Sequence, residues 1–139
     1  MKKNDPTDLP ANASPSEARR EFIVVCLCAE WCGTCRDYRP EFQALQAAFP
    51  DVEFRWIDIE DNASWTEELE VEDFPTILIQ RDEWVLYYGT MLPHQSHLRR
   101  MIEVLREQTR EQSREYAYGN DERRAWQGQY KLPNRGIID

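Results

Sequence analysis

The sequence predicts an α/β domain built on a central mixed β-sheet with helices on both faces. Three observations predict it. Phe22-Ile23-Val24-Val25-Cys26-Leu27-Cys28 is a continuous apolar, β-rich run, the pattern of a strand buried on both faces. Tyr38, Phe42, Leu45 and Phe49 follow at i, i+4, i+7 and i+11, one face of a helix. Along the chain the elements run β-α-β-α-β-β-α, an order that places helices against a sheet mixing parallel and antiparallel pairs. A length of 139 residues suits one such domain with tails to spare.

Residues 1–13, with Pro6 and Pro10 among small polar residues, read as a disordered lead. Ser14-Pro15-Ser16-Glu17 joins a Ser cap, Pro at the first helical position and Glu three residues on, so a short helix through Arg20 is expected. The strand at 22–28 comes next, then the helix, with Pro40 expected to kink it and Pro50 to stop it. Val52 to Ile59 alternates as a second strand, and Asn62 to Leu69 reads as a short helix. Thr76-Ile77-Leu78-Ile79 and Trp84 to Tyr88 form a hairpin about a polar turn at Arg81-Asp82-Glu83. Leu98, Met101, Ile102 and Leu105 repeat at helical spacing and close the domain, which spans 14–108. Residues 109–139 form a charged C-terminal extension carrying Tyr116, Tyr118, Trp126 and Tyr130. It is expected to prolong the last helix and then fray, its aromatics folding partly back; a partner-docking segment is the alternative.

Composition removes whole classes of function. The formal net charge is −9, which opposes binding to nucleic-acid phosphates. No apolar run approaches the roughly 18–20 residues of a membrane span. The polar, Pro-rich segment from Asn4 to Ser16 lacks the apolar stretch of a secretory signal. Residues 21–105 hold 17 acids against 6 bases, a net −11. Ten of these acids fall between Asp51 and Asp73, where Arg55 is the one base.

Four cysteines lie within ten residues, at 26, 28, 32 and 35. Disulfide frameworks of secreted domains spread their cysteines, so this cluster points to chemistry in a reducing compartment, and a cytoplasmic location is expected. Cys32-Gly33-Thr34-Cys35 stands between a buried strand and a helix start. The unpaired amides and partial positive charge of a helix N-terminus stabilise a thiolate, so Cys32 is expected to be the nucleophile. Cys35, one turn later, can attack a mixed disulfide formed at Cys32 and release the substrate. Gly33 lets a partner approach the backbone. Trp31 adjoins the nucleophile and is expected to cover one side of the site.

Ala29-Glu30-Trp31-Cys32-Gly33-Thr34-Cys35, Pro40 in the following helix, Phe74-Pro75-Thr76 before the hairpin and Gly89 after it together resemble the thioredoxin family. The likeness covers roughly residues 14–108. It implies the thioredoxin fold, a cis bond before Pro75 and pairing of the Phe74 backbone with a substrate strand. It also exposes three departures. The family usually has a buried Asp where Cys26 stands, commonly paired with a Lys where Trp56 stands. Without that pair, deprotonation of Cys35 falls to water, Glu30 or Asp58, and a slow resolving step is expected. Thr34 replaces a Pro and supplies a backbone donor and a hydroxyl near Cys32, which favours the dithiol and a more oxidising couple. Finally, the family's first strand falls in the Pro-bracketed lead.

Cys26 and Cys28, at i and i+2 of one strand, share a face and are expected as small core residues. The sharper alternative sets Cys26 below Cys35, able to exchange with it. A four-thiolate metal site is disfavoured because Pro75 would crowd it, so no metal and no bound cofactor are expected. His94 and His97 read as surface residues at a helix start. Glu70, Glu72 and Asp73 precede Phe74-Pro75, and an acidic rim there favours basic partners. The expected function is a thiol–disulfide oxidoreductase acting on protein disulfide or dithiol substrates, recharged by a separate reductase or thiol pool. The alternative is a thioredoxin-like binding or chaperone module with little redox turnover.

Overall fold

A computed structural model describes residues 21–29, 31–60, 71 and 74–132. The lead, the expected helices at 14–20 and 62–69, and residues beyond 132 lie outside these. The apolar run forms strand β1, Phe22–Cys28, and every residue of it is buried. Phe22, Val24, Cys26 and Cys28 face one core, while Ile23, Val25 and Leu27 face another on the opposite side of the sheet. Burial on both faces is why the run is continuous rather than alternating.

Helix α1, Gly33–Ala48, buries Cys35, Tyr38, Phe42 and Leu45 and runs through Pro40; Phe49 at its end is also buried. Strand β2, Val52–Asp58, lies parallel to β1, with Phe22 opposite Val52 and Cys28 opposite Asp58. Strands β3, Thr76–Arg81, and β4, Trp84–Thr90, form the hairpin, and β3 is antiparallel to β1. The strand order is β2-β1-β3-β4, a mixed sheet. Helix α2, Gln95–Arg106, buries Leu98, Ile102 and Leu105 on the same core as α1. Fully burying each such Leu, Ile or Phe contributes roughly 1.5–3 kcal/mol. No helix among the described residues is long and apolar enough to cross a membrane.

The hairpin turn is tighter than expected. Arg81 belongs to β3 and is buried, and Asp82-Glu83 make the turn, with Asp82 at φ +50°, a conformation Asp tolerates. The Arg81 guanidinium pairs with Glu21, donates to the Gln108 carbonyl at 3.0 Å and to Ser113 Oγ at 2.9 Å, and lies over the Phe22 ring. A buried cation needs such a full set of partners.

The C-terminal stretch neither prolongs α2 nor frays over the described residues. Thr109 starts a new helix, α3, Arg110–Ala117, through a capping box with Gln112. Asn120 caps α4, Asp121–Gln129, by accepting from the Arg123 amide. The two helices bracket the β4 edge. Trp126 packs edge-on to Tyr87 on one face, and Tyr130 stacks on Tyr88, centroids 3.7 Å apart, on the other. Between them the Gln127 side-chain amide imitates a neighbouring strand. Its oxygen accepts from the Val85 amide at 2.7 Å, and its nitrogen donates to the Val85 carbonyl at 2.7 Å. An open strand edge is thereby closed without another strand. Gln127→Ala should cost about 1–3 kcal/mol, because fully buried Val85 would lose both partners. A urea midpoint equal to wild type, with the Val85 amide still protected from hydrogen exchange, would contradict this.

Candidate active site at the start of the first helix

The chain leaves β1 at Cys28 and turns through Ala29 to Trp31, the Cys32 amide donating to the Ala29 carbonyl at 3.0 Å. Cys32 is the N-cap residue of α1, with extended φ and ψ and no side-chain capping bond. Its sulfur is therefore not committed to the helix. Cys32 is partly exposed, whereas Cys35, in the first turn, is 1% exposed. The i, i+3 spacing turns one sulfur outward and the other down onto the end of β1.

The structure brings the expected surface residues together. The Trp31 ring, 64% exposed, meets the Phe74 ring edge-on at 5.6 Å. Phe74 and Cys32 pack against the margin of the α1-side core. The Phe74–Pro75 peptide is cis and leads into β3. Gly33 and Thr34 are exposed, and a Cβ at Gly33 would meet only Arg36 Nη2, at 3.8 Å, so space above the helix start is open. Gly89, opposite Ile77 in β4, has φ +155°, which side-chain-bearing residues rarely adopt.

Below the surface one expectation is corrected. Cys28 is more than a core residue: it is disulfide-bonded to Cys35, with Cα atoms 5.9 Å apart, while Cys26 and Cys32 are free. That Cα separation is the usual one for a disulfide. The place assigned by the sharper sequence alternative to Cys26 is thus held by Cys28. Both cysteines share a face, but Cys28 is the last strand residue before the loop and so stands under the first turn of α1. Cys26 lies one side-chain repeat further down the strand, its Sγ 3.6 Å from that of Cys28. No sequence signal separates the two cysteines, because the choice rests on where the first turn of α1 comes to lie over β1.

Cys26 and Trp56 stand opposite each other on β1 and β2, where the family resemblance implies a buried charged pair. Cys26 is fully buried, and burial pushes its thiol pKa well up, so it stays protonated and is no base. Trp56 packs on Phe42 and under the Arg39 guanidinium. Asp58 stands opposite Cys28, with Oδ1 accepting from the Glu60 amide at 2.8 Å. Glu30, Glu70, Glu72 and Asp73 lie outside the described residues, so the acidic rim does too. Among the described residues, no group of three or more His, Cys, Asp or Glu is placed to hold a metal. His94 is the N-cap of α2 and His97 lies in its first turn, both exposed.

The Tyr38 hydroxyl has no signal in the sequence, where Tyr38 reads as one more residue of the helix face. It is buried against this core without a hydrogen-bond partner among the described residues. Such a group costs free energy to desolvate. Tyr38→Phe should leave stability unchanged or raise it by about 1 kcal/mol. A fall in the urea midpoint would mean that the hydroxyl has a partner in solution.

The family model for thioredoxin matches residues 14–103. Curated relatives include a thioredoxin from Chlamydia pneumoniae, 37% identical over 61 residues, covering 44% of this chain and 60% of that protein. A thioredoxin from Ophiophagus hannah is 36% identical over 64 residues, covering 46% and 61%. Similar solved structures include oxidised mitochondrial thioredoxin 3 from Saccharomyces cerevisiae, with TM-score 0.56, 26% identity, and coverage of 62% of this chain and 80% of that one. The Fasciola hepatica thioredoxin has TM-score 0.56 and 30% identity, covering 60% and 80%. The matches to these two curated relatives span about three-fifths of their length.

Proposed function

Because this chain belongs to the thioredoxin family, we propose that it is a thiol–disulfide oxidoreductase exchanging disulfides with protein substrates through Cys32. The observation that carries the reading is a partly exposed, free Cys32 at the N-cap of α1, with Cys35 one turn below it. Starting from the dithiol, the Cys32 thiolate attacks one sulfur of a substrate disulfide. That S–S bond breaks, a mixed disulfide forms, and the other substrate sulfur leaves as thiolate. Cys35 then attacks Cys32 Sγ, giving the intramolecular disulfide and the second substrate thiol. Two electrons pass to the substrate.

Trp31, Phe74 and Pro75 offer an apolar rim for an extended substrate segment. The acidic residues leading into Phe74 favour basic partners. Electrons return from a separate reductase or a thiol pool, in the cytoplasm. The alternative, a binding or chaperone module, draws on the Cys26–Trp56 pair, which supplies no buried base to the resolving step. Reduction of a disulfide-bonded protein with a dithiol or a thioredoxin reductase as donor tests the reading. Catalysed turnover supports the oxidoreductase. Negligible turnover beside stable complexes that survive Cys32→Ser supports the module.

A further inference from the structure

Resting on that reading, we propose that Cys28 is a second resolving thiol, which takes the disulfide from the surface pair into the core and sets Cys32 free again. The juxtaposition behind it is a Cys28–Cys35 disulfide whose partners are each 1% exposed, beneath a free and partly exposed Cys32. After substrate release the disulfide joins Cys32 and Cys35. Cys28 attacks Cys35 Sγ; the Cys28–Cys35 bond forms, the Cys32–Cys35 bond breaks, and Cys32 departs as thiolate. The Cys28 proton passes to Cys32 or to water. The exchange consumes no electrons, so it needs no additional oxidant.

Environment sets its direction. A disulfide is uncharged, so the apolar core beside Cys26 and under α1 accommodates it as readily as the neutral Cys28 thiol it replaces, and no charge is left buried. The departing sulfur is the one that water and the free amides at the start of α1 can solvate. Cys26 stands one side-chain repeat further down β1 and remains a bystander, although its sulfur is 3.6 Å from that of Cys28. The buried disulfide is closed to external thiols. Reduction therefore runs backward through Cys32, which must re-form the surface disulfide with Cys35 before a reductase can act. The oxidised protein thus keeps one accessible thiol, where a chain holding only the Cys32–Cys35 disulfide would have none.

The test is disulfide mapping of the full chain after the reduced protein has been oxidised by insulin, used as a disulfide-bonded protein probe. The native oxidised protein is treated with N-ethylmaleimide and digested with an endoproteinase that cleaves after Glu. Cleavage at Glu30 separates Phe22–Glu30, with Cys26 and Cys28, from Trp31–Glu41, with Cys32 and Cys35. The expected product is these two peptides joined by a disulfide, with maleimide on Cys32. The link should persist in Cys26→Ala and vanish, together with the maleimide, in Cys28→Ala. A disulfide confined to Trp31–Glu41 and an unlabelled Cys32 in the wild-type protein would overturn the proposal. So would a link that persists in Cys28→Ala or is lost in Cys26→Ala. Turnover without the link removes Cys28 from the reaction and leaves the oxidoreductase reading standing. The link formed with an added oxidant but without catalysed turnover removes that reading instead.

Discussion

Cys32→Ser is expected to lower disulfide turnover by at least about 1,000-fold, as loss of a nucleophile does. Serine keeps the shape and helix-capping capacity of the position, so the fold should be retained. Its hydroxyl is far less acidic than a thiol and does not attack disulfides at neutral pH. No other described thiol can substitute. Cys26, Cys28 and Cys35 are each at most 1% exposed, so a protein disulfide cannot reach them. The reduced variant should match the unfolding of the reduced wild-type protein while losing turnover. Turnover within tenfold of wild type, measured with a dithiol donor, would place the attack elsewhere.

The second large effect is alkaline unfolding. Burial pushes the Cys26 thiol pKa well above its ordinary value of 9.0 and the Tyr38 phenol pKa well above 10.0. Tyr88 is pushed up to about 12 by burial and by neighbouring Tyr130. In each case the folded protein holds its proton where the unfolded chain has released it. Folding therefore binds protons, and stability declines as pH rises. The three contributions are complete below about pH 9 and diminish through the window from 9 upward, that of Tyr88 ending near 12. Each group can add up to about 1.4 kcal/mol per pH unit to the slope, less for the partly exposed Tyr88. The urea midpoint should fall steeply between about pH 9 and 11 and fall less in Tyr38→Phe and Cys26→Ala. A midpoint constant to about pH 11 would show that these groups ionise in the folded state.

Most of the fold is legible because its signals are local. The double-sided burial of β1 is written in the unbroken run from Phe22 to Cys28. The repeat of Tyr38, Phe42, Leu45 and Phe49 marks the face of α1 that packs on it, and Leu98, Ile102 and Leu105 do the same for α2. The helical C-terminal bracket was harder to read. Ser113 and Ala117, the buried residues of α3, are small, and the fourth helix buries none of its residues fully. Neither presents the apolar stripe that periodicity detects. They are held instead by capping residues, by aromatic contacts and by the Gln127 amide, none of which has a repeat.

The sequence by itself determined that a cysteine cluster sits at a strand-to-helix junction, with Cys32 at the helix start and Cys35 one turn later. Those positions follow from spacing along one chain. The tertiary structure alone decided which sulfur Cys35 meets and what closes the β4 edge. Cys26 and Cys28 share a face and a chemistry, so only the height at which α1 returns over β1 selects Cys28. Gln127 finds Val85 at a sequence separation of 42, and only folding brings that amide alongside a free strand edge.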